Sequence, residues 1–231
     1  MAKKEQTKKE NPVVGVTALK GYAATFGAGY ISGIVGEIFT LYQTNNLNPE
    51  AFSTPQFRDL CFISGWQQVS KDLSKNLLKT IPALEKLSIS NPFIFGATTG
   101  FPMWFLTRLV ATPLQNSRKK GVNPFEGFST SVVNDTPYHT LKNGLDEFCS
   151  VKINPVLLPK VNNYVTKRFV EGVISGSVAG GTYILTWPAK TLITGQKIDD
   201  AWKLLITQTP KAFSKKISYQ VTRPTLLDLL K

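Results

Sequence analysis

Three ionisable side chains interrupt long apolar stretches of this chain: Glu37, Arg108 and Glu171, one within or near each stretch. A charge set in apolar sequence is costly unless it faces a cavity or an opposite charge, so these positions are candidates for binding, gating or pairing. Groups that could carry covalent or metal chemistry are scarce. His139 is the only histidine, which excludes a histidine-rich metal site and a catalytic triad with a spare base. Cys61 and Cys149 have no metal-ligand spacing and make no disulfide framework. Neither G-x-x-x-x-G-K-S/T nor G-x-G-x-x-G occurs, so no phosphate loop or dinucleotide fingerprint is present. No catalytic, cofactor or metal residue is assigned, and the chain is not expected to be an enzyme.

The elements that must hold those charges repeat. Residues 21–43, 96–119 and 172–196 are glycine-rich apolar segments, and their leading glycines, Gly21, Gly96 and Gly172, stand 75 and 76 residues apart. That period fits three times into 231 residues, so the repeat spans nearly the whole chain. Each segment approaches the ~20 residues that cross a bilayer as a helix. Glycines recur at helical spacing: Gly29 and Gly33; Gly96 and Gly100; Gly172, Gly176 and Gly180. Small residues so placed let membrane helices approach closely, whereas in water each would cost a helix about 1 kcal/mol. Pro113 and Pro188 follow Gly100 and Gly176 by 13 and 12 residues, predicting the same kink in two repeats.

Charge points to anionic partners. Lys and Arg number 27 against 15 Asp and Glu, a net +12. The basic residues do not cluster beside aromatics, so nucleic acid is not expected. Mean hydropathy is only -0.06, low for a bundle of conventional spans, because polar connectors separate the apolar segments. Residues 1–14 read as a mobile basic tail; the lysine- and glutamate-rich stretch 1–11 lacks the apolar core of a secretory signal.

Taken together, the repeated order of glycines, kink, linker and basic segment resembles the mitochondrial carrier family. That family pairs a glycine-rich odd helix, kinked at P-x-D/E-x-x-K/R, with a basic even helix in each repeat. Here the second repeat has Pro113, Gln115 and Arg118; the third has Pro188, Lys190 and Ile193, followed by Gln196; the first has no proline. Lys79 and Pro82 resemble the K/R-x-x-P start of an even helix, Lys152 and Pro155 repeat that spacing, and Arg223 with Pro224 repeats it in altered form. The resemblance implies an all-α membrane protein, a carrier-like bundle of three two-helix repeats at about 15–92, 93–168 and 169–231 within a single domain, 15–231. It also implies the mitochondrial inner membrane, and bound anionic lipid such as cardiolipin.

The departures from the family pattern shape the functional expectation. The acidic slots of the gate hold Gln115, Lys190 and an apolar residue, and only Arg118 remains among the basic slots. No closed ring of ion pairs follows from Arg118 alone. Even helices that begin near Lys79, Lys152 and Arg223 come out short, the last ending eight residues after Arg223. The expectation is therefore a non-transporting accessory subunit of an inner-membrane complex, such as a respiratory-chain complex, contacting lipid and neighbouring subunits through the connectors 45–55 and 119–145. The alternative is an active carrier of an anionic solute, a nucleotide or carboxylate, contacted by Lys79, Lys152 and Arg223.

Overall fold

Proline starts most of the shorter helices, and asparagine or threonine caps α2, α3 and α5. The structure, a computed structural model, describes residues 12–195 and 198–230, apart from the side chains of 12–15, 188–194, 198–205 and 207. Helix α1 (Pro12–Gln43) is followed by α2 (Pro49–Ser53), α3 (Pro55–Lys79), α4 (Pro82–Ser90), α5 (Pro92–Thr98) and α6 (Gly100–Asn116). Helices α2 to α5 carry proline in the first turn, where its missing N–H breaks no helical bond. The side chains of Asn48, Thr54 and Asn91 accept from the N–H groups of Ala51 (2.8 Å), Phe57 (3.2 Å) and Ile94 (3.2 Å).

Helix α7 (Phe128–Phe148) begins after Gly127, whose φ of 72° a side chain would strain. A π-helical turn, Cys149–Ile153, leads into α8 (Asn154–Leu157). Asn163 then caps α9 (Tyr164–Thr194) by accepting from Val165 and Thr166, Gly195 ends it at φ 66°, and α10 (Ile198–Leu229) closes the chain. Every element assigned among the described residues is helical, so the protein is all-α.

The long helices form a ring in chain order. Helix α1 packs on α3, α3 on α6, the broken helix α5–α6 on α7, α7 on α9, α9 on α10, and α10 returns to α1. Three helix pairs thus follow one another, α1 with α3, α5–α6 with α7, and α9 with α10. The even members are not short: α3, α7 and α10 have 25, 21 and 32 residues. At 1.5 Å per residue they run about 37, 31 and 48 Å. The expectation of shortened even helices is corrected. Lys79 is the last residue of α3, Lys152 lies in the turn after α7, and Arg223 sits in the final turns of α10, so these residues end the even helices. Likewise, residues 128–145, expected as connector, are helical.

Polarity in this ring runs inside out. Buried positions include Thr25, Ser32, Ser64, Ser70, Thr107 and Asn143 beside the apolar Phe95 and Met103, whereas many large apolar side chains face outward. Phe101, Phe105 and Leu109 make an exposed stripe along α6 at helical spacing, and the adjacent Ile184 and Leu185 are exposed on α9. Three membrane-crossing helices are expected from the sequence; among the described residues, one helix, α1 over Val16–Gln43, is long and apolar enough by composition. The second apolar segment is divided, because the helix breaks at Thr99 between α5 and α6.

Candidate functional site

Glycines set how tightly each pair closes. A Cβ on Gly29 would lie 2.8 Å from Gly65 Cα, and one on Gly33 would lie 2.9 Å from Cys61 Cα, so α1 rests directly on the α3 backbone. Gly96 and Gly100 meet α7 in the same way, at Asn143 O (2.3 Å) and Thr140 Cα (2.5 Å). Gly172, Gly176 and Gly180 meet α10 at Ile217, Phe213 and Thr209. In all three pairs these glycines of the odd helix face the even helix that follows it.

The ring lines a half-open cavity of about 190 Å³ into which the even helices send lysines: Lys71 from α3, Lys142 from α7, and Lys211, Lys215 and Lys216 from α10. Lys211 and Lys215 are one helical turn apart, which puts both on one face of α10. Tyr138 and Tyr183 line the same space, with ring centroids 5.6 Å apart, and Tyr183 stacks on Trp187 at 5.0 Å. Among the described residues no arginine lines this cavity.

Two carboxylates answer the five ammonium groups. Asp146 of α7 lies 2.7 Å from Lys71, 3.4 Å from Lys142 and 3.3 Å from Lys216, and it also accepts from Ser175 at 3.1 Å. Glu37 of α1 pairs with Lys211 at 2.7 Å. Lys215 makes no ion pair with any described residue, and its aliphatic stem crosses the face of Gly36. Among the described residues, five lysines thus meet two paired carboxylates, a formal excess of three. Away from bulk water such an excess is strongly repulsive and attracts anions.

Beyond Asp146 a second cavity, of about 210 Å³, opens toward the end of the ring where the even helices finish. Ion pairs cross it: Lys75 of α3 with Glu147 of α7, and Arg223 of α10 with Asp72 of α3 at 3.5 Å. Thr25 of α1 ties into the second pair, donating to Asp72 at 2.9 Å and accepting from Arg223 at 3.0 Å. At the opposite end Arg118 makes a two-pronged pair with Asp59 of α3. Arg118 therefore has a partner, one that lies outside the gate positions named from the sequence.

The remaining sequence candidates fall in several places. Pro113 lies inside α6 near its end, and Gln115 accepts weakly from Arg108 at 3.4 Å. Arg108 lies over the Trp104 ring at 5.7 Å, and Glu171 pairs with Arg168 on its own helix at 2.8 Å. Pro188 and Lys190 belong to α9, but their side chains are among those not described, and Gln196 lies outside the described residues. Lys79, Lys152 and Arg223 do not share the central cavity: Lys79 is exposed at the end of α3, near Phe95 (5.9 Å), and Lys152 is exposed on the π-helical turn. The cavity lysines were missed because the stretches that hold them are too polar to read as spanning helices. A lysine at positions 71, 142 and 211–216 on inward helix faces would have found them.

Fold and site together define an all-α ring of paired helices around a cationic cavity. Compared with protein families, with curated proteins and with solved structures, the chain has no match.

Proposed function

We propose that this chain is a membrane-embedded protein that binds a small anionic solute in the central cavity and passes it between the two ends of the helix ring. One observation carries the reading: five lysines from three helices converge on one cavity that holds carboxylate partners for only part of their charge. The membrane is supported by the outward apolar stripes around a polar, charged interior, which is the reverse of a water-soluble core. A carrier-like architecture is supported by the ring of three helix pairs, each closed by glycines at the same contact. The mitochondrial inner membrane follows from the family resemblance alone.

This reading is the one held second from the sequence. The accessory-subunit reading rested on lost gate charges, short even helices and a basic tail. With even helices of 21 residues or more, the second of these reasons falls away. Reconstitution into liposomes tests it. Uptake of labelled phosphate or dicarboxylate against a preloaded anion, lost in Lys71→Gln and Lys216→Gln, is the expected result. Wild-type liposomes no more permeable than empty ones, with the protein migrating in a large complex on a native gel, would return the accessory role.

A further inference from the structure

We infer that the segment joining α7 to α9, residues 148–163, lies along the membrane surface and binds anionic lipid headgroups through Lys152 and Lys160. This rests on the membrane-embedded reading of the chain.

Prolines shape the segment. Pro155 has no N–H to offer the carbonyl of Val151, and the N–H of Asn154 before it bonds back to Cys149 in the π-helical turn. Pro159 turns the chain again within a short 3-10 helix, Leu158–Lys160. Leu158 is buried and pins the segment to the ring, while Phe148, Val151, Val156 and Leu157 are 36% to 60% exposed. Lys152 and Lys160 are exposed in the same stretch, and no acidic residue occurs between Glu147 and Glu171. Outward apolar side chains interleaved with lysines fit the boundary between acyl chains and phosphates: the lysine stems lie on the first and the ammonium groups reach the second.

Helix α9 sets the level. Its outward apolar side chains include Val165 and Phe169 near the start and Ile184 and Leu185 further on. From Val165 to Leu185 the rise is about 30 Å, the thickness of a bilayer's hydrocarbon core. The exposed Tyr164 stands at the edge of that band, where an amphipathic ring is at home. The segment runs directly into Tyr164, so it meets the membrane at headgroup depth. Its Cys149, Ser150 and Asn154 line the second cavity, which sets that cavity's rim among the headgroups.

Spin labels on the full chain in mixed phosphatidylcholine–phosphatidylglycerol nanodiscs test the position. In a Cys149→Ser background, a label on Leu157→Cys should meet dissolved oxygen far more often than a water-soluble nickel chelate. It should also lie shallower than a label on Phe105→Cys of α6. A Leu157 label that meets the chelate as freely as in water overturns the inference and leaves this face to a protein partner. A Phe105 label in water overturns the membrane reading itself.

The headgroup contact has its own test in the thermal midpoint of the detergent-solubilised protein. Added phosphatidylglycerol should raise it more than phosphatidylcholine does, and Lys152→Gln with Lys160→Gln should lose at least about half of that difference. Both lysines are exposed, so the double variant should fold. A double variant that keeps the whole difference, or a wild type that responds alike to both lipids, overturns headgroup binding here.

Discussion

Asp146 on α7 and Lys71 on α3 meet at 2.7 Å inside the ring, with the carboxylate 7% and the lysine 13% exposed. The same Asp146 oxygen lies 3.4 Å from Lys142 and 3.3 Å from Lys216, so one carboxylate is the hub for cations from three helices. Removing one partner of a buried pair leaves the other uncompensated, which costs about 3–5 kcal/mol. Asp146→Asn should therefore lower the thermal midpoint of the detergent-solubilised protein sharply, with a loss of about that size. Asp146→Glu, which keeps the charge, should lose less. Equal melting of wild type and Asp146→Asn would remove the hub role.

The glycine contacts predict a graded series. Gly96→Ala and Gly100→Ala put a methyl group 2.3 Å from Asn143 O and 2.5 Å from Thr140 Cα, backbone atoms that cannot swing aside. Each should destabilise by about 1–3 kcal/mol through overpacking. Gly21 and Gly181 have nothing within 4 Å of an added Cβ, so Gly21→Ala and Gly181→Ala should be neutral or slightly stabilising. Thermal melts of the four variants, side by side, check the ranking.

Arg223 and Asp72 lend themselves to a charge swap. Either Arg223→Asp or Asp72→Arg sets like charges 3.5 Å apart between α10 and α3, and each should reduce anion uptake and folded yield. The double variant restores an ion pair and should recover a good part of both. Failure of the double variant to improve on either single one would mean that the pair does not hold these helices.

Thiol labelling reads packing without any assay of function. Cys61 is 0% exposed beneath Gly33, whereas Cys149 is partly open in the turn after α7. A maleimide should label Cys149 in the folded protein and reach Cys61 only on unfolding. Cys149→Ser should then label at a rate close to background.

How much of this was legible in the sequence depends on whether the determining partner is local. Gly29 with Gly33 and Gly172 with Gly176 could be read because small residues at helical spacing mark a helix contact without knowledge of the partner. The odd helices followed. The even helices did not, because their inward faces are polar: Ser70, Lys71, Asp72, Ser74 and Lys75 in α3 interrupt any apolar run and read as connector. Once α3 was taken for linker, Lys79 was taken for the start of a helix that it in fact ends. The partner of Arg118 was not legible for a related reason, since Asp59 lies 59 residues earlier and nothing local announces the pair. The lysines of α10 carry no motif, and their convergence with Lys71 and Lys142 exists only in the closed ring.

That closure has a kinetic side. Within each helix pair, the two members are neighbours in the chain, so α1 with α3, and α5–α6 with α7, need only short loops to meet. The bond from Arg223 to Thr25 spans 198 residues, and the Glu37–Lys211 pair joins the same two helices. During synthesis, the first two pairs can assemble as they emerge, while α1 keeps one flank without its final neighbour until α10 arrives. The last segment made is thus the one that turns an open palisade of helices into a chamber, and a chain truncated before α10 has no chamber to fill.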